Sequence, residues 1–169
     1  MYDRTITVFN HHKGNWYPHV IHNADLIATD SKTPTAMSGE TNSDSVEIIV
    51  RFRKARWKIV DGEGCAIIDR FRNVLVWGAP FTAIETDNGS MQYLPPKAFA
   101  ESESPENCIT FTPETDFIYD GEWPGTGPIP DGDYESGLYS HLNEERDGVN
   151  MITRATQYRL LPHFEIGGR

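Results

Sequence analysis

The segment Val46-Glu47-Ile48-Ile49-Val50-Arg51-Phe52-Arg53 constrains this chain more than any other. Val46, Ile48, Val50 and Phe52 fall on one face of an extended strand, while Glu47, Arg51 and Arg53 point mainly to water. That two-residue period belongs to a half-buried sheet and cannot sit on a helix. Shorter runs of the same kind recur. Arg4 to Asn10 sets Ile6 and Val8 against Thr5 and Thr7, and a second strand is expected from Trp16 to about His22. Between them comes Lys13-Gly14-Asn15, whose Gly14-Asn15 pair suits a tight hairpin turn that needs positive φ. Asp61-Gly62-Glu63-Gly64 and Asn88-Gly89 punctuate in the same way, the latter joining Phe81–Thr86 to Met91–Leu94. Pro95-Pro96 ends that strand, because proline cannot donate to a ladder. Ile109–Thr112 and Asp116–Tyr119 flank a Pro113-Glu114 turn, and Val149–Arg154 and Tyr158–Ile166 are the last strands, with a turn near Thr156.

One helix interrupts the strands, near residues 133–146. Asp131 or Asp133 offers an N-cap carboxylate, Tyr134, Leu138 and Leu142 recur at helical spacing, and Asp147-Gly148 stops it. Ala28–Asp44 is polar and Trp123–Gly132 holds three prolines, so both read as loops. The fold expected is mainly β: a small antiparallel barrel or sandwich with one principal helix, in a single domain spanning 1–169. The polar loop 28–44, a possible pair of inserted hairpins at 53–88 and an acidic loop region at 101–135 are its features. Ile6, Val8, Val46, Ile48, Val50, Phe52, Ile109, Phe111, Tyr158, Leu160 and Phe164 form the expected core.

Charge narrows the function. A formal net charge of −10 argues against broad nucleic-acid binding, where a basic face supplies most of the affinity. The distribution is uneven. Glu101 to Glu135 carries ten acids and no Lys or Arg, whereas Arg51 to Arg72 carries seven basic residues against three acidic ones. Two readings follow: separate solvated surfaces, or complementary faces through which identical copies meet. Arg51, Arg53 and Arg56 on one side and Glu101, Glu103 and Glu106 on the other are the candidate interface residues. Trp123, in a proline-rich loop, is the candidate exposed anchor. No window approaches the ~20 apolar residues that span a bilayer, and the first residues lack a signal-peptide layout. A protein made in the cytoplasm with no membrane partner is therefore expected, its two cysteines, Cys65 and Cys108, reduced and buried.

Motifs for chemistry are missing. His11, His12, His19 and His22 cluster around the first hairpin but supply no converging metal set, so they read as surface histidines. Asp131-Gly132-Asp133-Tyr134-Glu135 resembles the start of a calcium loop, but Ser136 and Leu142 stand where its glycine and final acid belong. There is no nucleophile elbow and no phosphate loop of the usual spacing. The expectation is a non-enzyme with no catalytic residue, cofactor or metal.

Several segments resemble a family of minor structural proteins from tailed phages and prophages of Gram-positive bacteria. They are Met1–Asn10, Trp16-Tyr17-Pro18-His19-Val20, Tyr93-Leu94-Pro95-Pro96-Lys97, Ile109–Thr112, Asp116–Trp123 and the ending Leu161–Arg169. The general plan also resembles head-closure (stopper) proteins, small β-barrels that assemble as a ring beneath the portal. The resemblance implies a virion protein of the head–tail junction, assembled in the host cytoplasm. It also implies a homo-oligomeric ring, a hexamer or dodecamer, among other connector or tail proteins. DNA would pass transiently through an acidic channel without specific binding. The stretch from Arg53 to about Asn88 is longer than the family pattern and leaves the ring level open, a tail terminator included. A monomeric β-sandwich that binds a small ligand or surface glycan is the alternative.

Overall fold

The computed structural model describes residues 3–31, 43–60, 67–68, 74–125 and 127–169. β1 (Arg4–His12) and β2 (Asn15–Ser31) form a hairpin whose two turn residues, Lys13 and Gly14, lie at φ 48° and 81°. Positive φ at both positions is the turn geometry that matches the twist of the flanking strands. β3 (Ser43–Arg51) pairs with β2, and β12 (His163–Gly168) pairs with β3 and with β11 (Val149–Tyr158). β9 (Phe117–Tyr119) then joins β11 back to β1. Every pairing is antiparallel and the β1–β2 ladder closes the circuit, so six strands form a closed barrel without edges.

A second sheet lies beside it. β4 (Arg53–Val60), β6 (Val74–Thr86), β7 (Gly89–Tyr93) and β8 (Cys108–Ile109) follow in spatial order, with β5 (Ile67–Ile68) also pairing with β6. The β7–β8 pair is parallel, because α1 (Pro96–Ala100) and a turn of 3-10 helix at Pro105–Asn107 carry the chain back across. The expected hairpins at 53–88 thus supply most of this sheet, although the Asp61–Gly64 turn and Cys65 lie outside the described residues. The polar loop is shorter at both ends than expected. β2 runs to Ser31 and β3 starts at Ser43, leaving 32–42 outside the described residues.

Two cores result. Inside the barrel Ile6, Val8, Ile21, Ile48, Val50, Ile152, Phe164 and Ile166 meet Ile84, Met91, Ile109 and Phe111 from the second sheet and its return. Outside it, Phe9, Trp16, Phe117 and Val149 pack under Leu138 and Leu142 of α2 (Leu138–Glu145). β1 is therefore buried on both faces. α2 starts at Leu138 because Gly137, at φ 82°, breaks the helical path, and Asp131–Asp133 forms a separate 3-10 turn. The proline loop is also partly ordered as strand: β10 (Ile129–Pro130) pairs with Trp16 and Asn15.

Three expectations are corrected. Tyr158 and Leu160 are not core: they are 42% and 97% exposed. The last turn is not at Thr156, because β11 continues to Tyr158 and the reversal occupies Arg159-Leu160-Leu161-Pro162. An apolar run there mimics a strand, but Pro162 has no N–H for a ladder. His12 and His19 are not on the surface either; both lie buried, on the inward face of the first hairpin, while His22 is exposed. Among the described residues no helix is long and apolar enough to cross a membrane.

Candidate assembly interface

Arg51 and Arg53 flank Phe52, where the chain passes from the barrel into the second sheet. Phe52 turns inward, its ring 5.1 Å from that of Phe164, and its N–H donates to the Pro162 carbonyl at 3.3 Å. The two arginines therefore point outward. Arg53 Nε donates to Glu85 Oε1 at 2.6 Å and its guanidinium also reaches Ser90 Oγ at 2.8 Å. A groove of about 430 Å³ opens here, with Ile21, Phe52 and Ala83 on its floor and His22, Arg51 and Arg53 among its rim. His22 is held by Asp87 and by Thr5 Oγ1 at 2.9 Å. A second recess of about 350 Å³ shares Arg51 and Phe52 and runs under Leu161, Pro162 and His163. Arg56 belongs to β4 at an irregularity in its ladder, and its side chain lies outside the described residues.

The acidic candidates gather elsewhere. Glu101 caps the end of α1, and Glu103 and Glu106 follow it on the way into β8, all three exposed. The ladder relates the two groups directly. Arg53 pairs with Ala83, Ala83 with Gln92 and Gln92 with Cys108, so β4 and β8 are the two edges of one sheet. Three strand spacings put those edges about 14 Å apart. Among the described residues, Arg53 therefore stands on one edge strand, β4, and Glu101, Glu103 and Glu106 precede the other, β8. Edge strands are where one chain can meet another.

Trp123 is half-buried: its ring stands edge-on to Phe9 at 5.3 Å, and the Arg146 guanidinium lies 5.7 Å from its centre. It packs under its own loop, and its remaining surface borders the outer core. Cys108 is buried, and its sulfur lies 3.9 Å from Ser102 Oγ.

One feature was invisible in the sequence. On the inward face of the first hairpin Asn10, His12 and His19 are all buried, and Asn10 bonds Thr110 and Asp116. Asp116 accepts from the backbone N–H of His11 at 3.0 Å and of Thr112 at 2.8 Å, and from Asn10 at 2.9 Å. Burial nonetheless pushes its carboxyl up to about 6. His19 has no partner at either ring nitrogen, and burial lowers it to about 4. With these three donors Asp116 anchors the Thr112–Asp116 turn to the first hairpin. Among the described residues no three His, Cys, Asp or Glu side chains come together as a metal set would.

Comparison of the chain with protein families, with curated proteins and with solved structures returns no match in any of the three.

Proposed function

We propose that this chain is a non-enzymatic structural component of a tailed-phage virion, forming a homo-oligomeric ring of the head-closure kind at the head–tail junction. The observation that carries ring assembly is that basic Arg53 stands on one edge strand of the second sheet, with Arg51 just before it at the end of β3, while acidic Glu101, Glu103 and Glu106 precede its opposite edge strand, β8. Different patches on two sides of one subunit produce heterologous contacts, and such contacts close into rings when the rotation allows. The virion setting rests on the resemblance of the opening strand, the Tyr93–Lys97 turn and the Leu161–Arg169 ending to minor phage structural proteins. A small closed barrel with a charged sheet at its side suits a ring whose acidic surface repels duplex DNA in transit.

Deleting the gene from a phage or prophage that encodes it tests this reading by electron microscopy of the lysate. Filled heads and finished tails that fail to join are expected. Tails of irregular length would move the protein to tail termination. Joined particles that fail to adsorb would favour a ligand-binding role, and normal infectious particles would end the proposal.

A further inference from the structure

We infer that α1 is an acid-released flap over the first hairpin: Phe99 latches it onto His12, and protonation of His12 lifts it together with the acidic turn that follows. The release is internal to one copy. Its consequence for assembly rests on the reading above, because Glu101 ends the flap and Glu103 and Glu106 follow it. The latch is a single side chain. Phe99 is the one buried residue of α1, whereas Lys97, Ala98, Ala100 and Glu101 are exposed. The backbone bonds of the helix are local: the Phe99 N–H donates to the Pro95 carbonyl at 2.9 Å, and the Ser102 N–H to the Phe99 carbonyl at 3.0 Å. On either side the chain is fixed, by the Leu94 N–H on the Ile109 carbonyl at 3.0 Å and by buried Pro105. Residues 96–104 are thus a strap between two anchored points, seated through one ring that stands 5.6 Å from His12 at 82°.

The seat is ionisable. His12 Nε2 is buried and has no partner among the described residues. From β2, Asn15 faces His12 across the ladder and Tyr17 stands 6.3 Å away, ring to ring; from α1, Phe99 faces it. None of these is an acid. Asp116, the acid bonded to this face of the hairpin, is engaged by Asn10 and by the His11 and Thr112 N–H groups. A neutral imidazole tolerates such a site, but a buried cation without an acceptor does not, and attraction to the Phe99 ring offsets only part of its lost hydration. Lifting one short helix lets water reach Nε2 and exposes one phenyl ring, so falling pH favours the lifted state. His19 shares the inward face but is not the trigger, because burial lowers it to about 4.

Hydrogen exchange of the full chain, expressed as protection factors to divide out the intrinsic effect of pH, reads the flap at the Phe99 and Ser102 amides. Protection there should fall at least about ten-fold between about pH 7 and about pH 5, the span over which an accessible histidine takes up its proton. Phe164 and Ile166 in β12 should stay protected. His12→Leu keeps an apolar seat and should abolish the fall, His19→Leu should leave it intact, and Phe99→Ala should lift the flap at both ends of the range. Constant protection in the wild type overturns the inference, as does protection that rises in acid because Phe99 holds the cation. A fall that persists in His12→Leu, or protection that survives Phe99→Ala, also overturns it. Loss of β12 protection in step with α1 would make the event global unfolding and overturn the flap. A chain that proves dispensable for joining heads to tails would sink the assembly reading while leaving these exchange results standing.

Discussion

The side-chain amide of Asn10 donates to Oδ2 of Asp116 at 2.9 Å inside the protein, tying the first strand to a turn 106 residues further on. The same amide nitrogen reaches the Thr110 carbonyl at 2.7 Å, and Asn10 Oδ1 accepts from the Thr110 N–H at 3.2 Å. Through these bonds the return from the second sheet is fastened to the barrel wall.

Asp116→Ala should therefore be among the most damaging single changes. It leaves two part-buried backbone N–H groups without their acceptor, at about 1–3 kcal/mol for each donor left unmet, and removes one of the Asn10 amide's two bonds. Urea denaturation should show a loss of at least about 3 kcal/mol. An unchanged midpoint would mean that water replaces the carboxylate at no cost.

The first hairpin and the turn bonded to it also shape the response to pH. Below pH 6.5 the unfolded chain protonates His19, whereas the folded chain resists until about pH 4, so acidification through this window favours unfolding. Asp116 works in the opposite sense. Raised from 3.8 to about 6, it contributes stability at low pH that is lost as pH rises through 6. The two contributions largely cancel between pH 4 and 6. His19→Leu removes the first alone and should spare about 3 kcal/mol of acid destabilisation between pH 7 and 4. Stability curves of the variant and wild type that run parallel across this range would show that His19 does not titrate as its burial requires.

Phe111 sits where the barrel meets the second sheet, 5.1 Å from Phe164 and 6.0 Å from Tyr93, ring to ring. Phe111→Ala should cost about 3–4 kcal/mol, since neighbours from two sheets cannot both collapse into the space. Thermal melts of Phe111→Ala and Phe111→Leu check this, the leucine variant recovering about half the loss.

Asp131 holds the outer helix from a distance. Its Oδ1 accepts from Trp16 Nε1 at 2.6 Å and from the Leu138 N–H at 2.9 Å. The Leu138 bond, then that of Trp16, holds its carboxyl below the usual carboxylate value. The stability it contributes is present at neutral pH and fades as pH falls through the carboxylate range. Asp131→Ala should cost about 1–2 kcal/mol, with faster hydrogen exchange across Leu138–Glu145. Unchanged exchange there would assign the helix start to Gly137 alone.

The fold was legible wherever one face of a strand meets water. The alternation in Val46–Arg53 and a tight turn around Gly14 act locally, and local chemistry is written locally, whereas the expected N-cap at Asp131 or Asp133 is not found, because the helix starts at Leu138 behind Gly137. The failures lie where tertiary context decides. Leu160 and Leu161 resemble strand residues, but the turn that carries them depends on how β11 and β12 are paired. His12 and His19 look superficial until the inward face of the hairpin is known. The parallel β7–β8 pair, set by a return through α1, has no period to announce it. For the candidate interface, the charge clusters were readable in sequence, but that Arg53 and the glutamates before β8 belong to opposite edge strands of one sheet was not.

The most direct test of assembly through these edges is trans-complementation of the deletion with charge-reversed chains, scored as the fraction of heads joined to tails. Arg51, Arg53 and Arg56 changed to glutamate should leave the subunit folded, because an exposed pair such as Arg53–Glu85 contributes at most about 1 kcal/mol. Joining should nevertheless fall steeply, since a ring repeats each contact around its circumference. Adding Glu101→Lys, Glu103→Lys and Glu106→Lys to that chain should restore a substantial part of it. Joining at the wild-type level by the triple glutamate chain would contradict assembly through these edges.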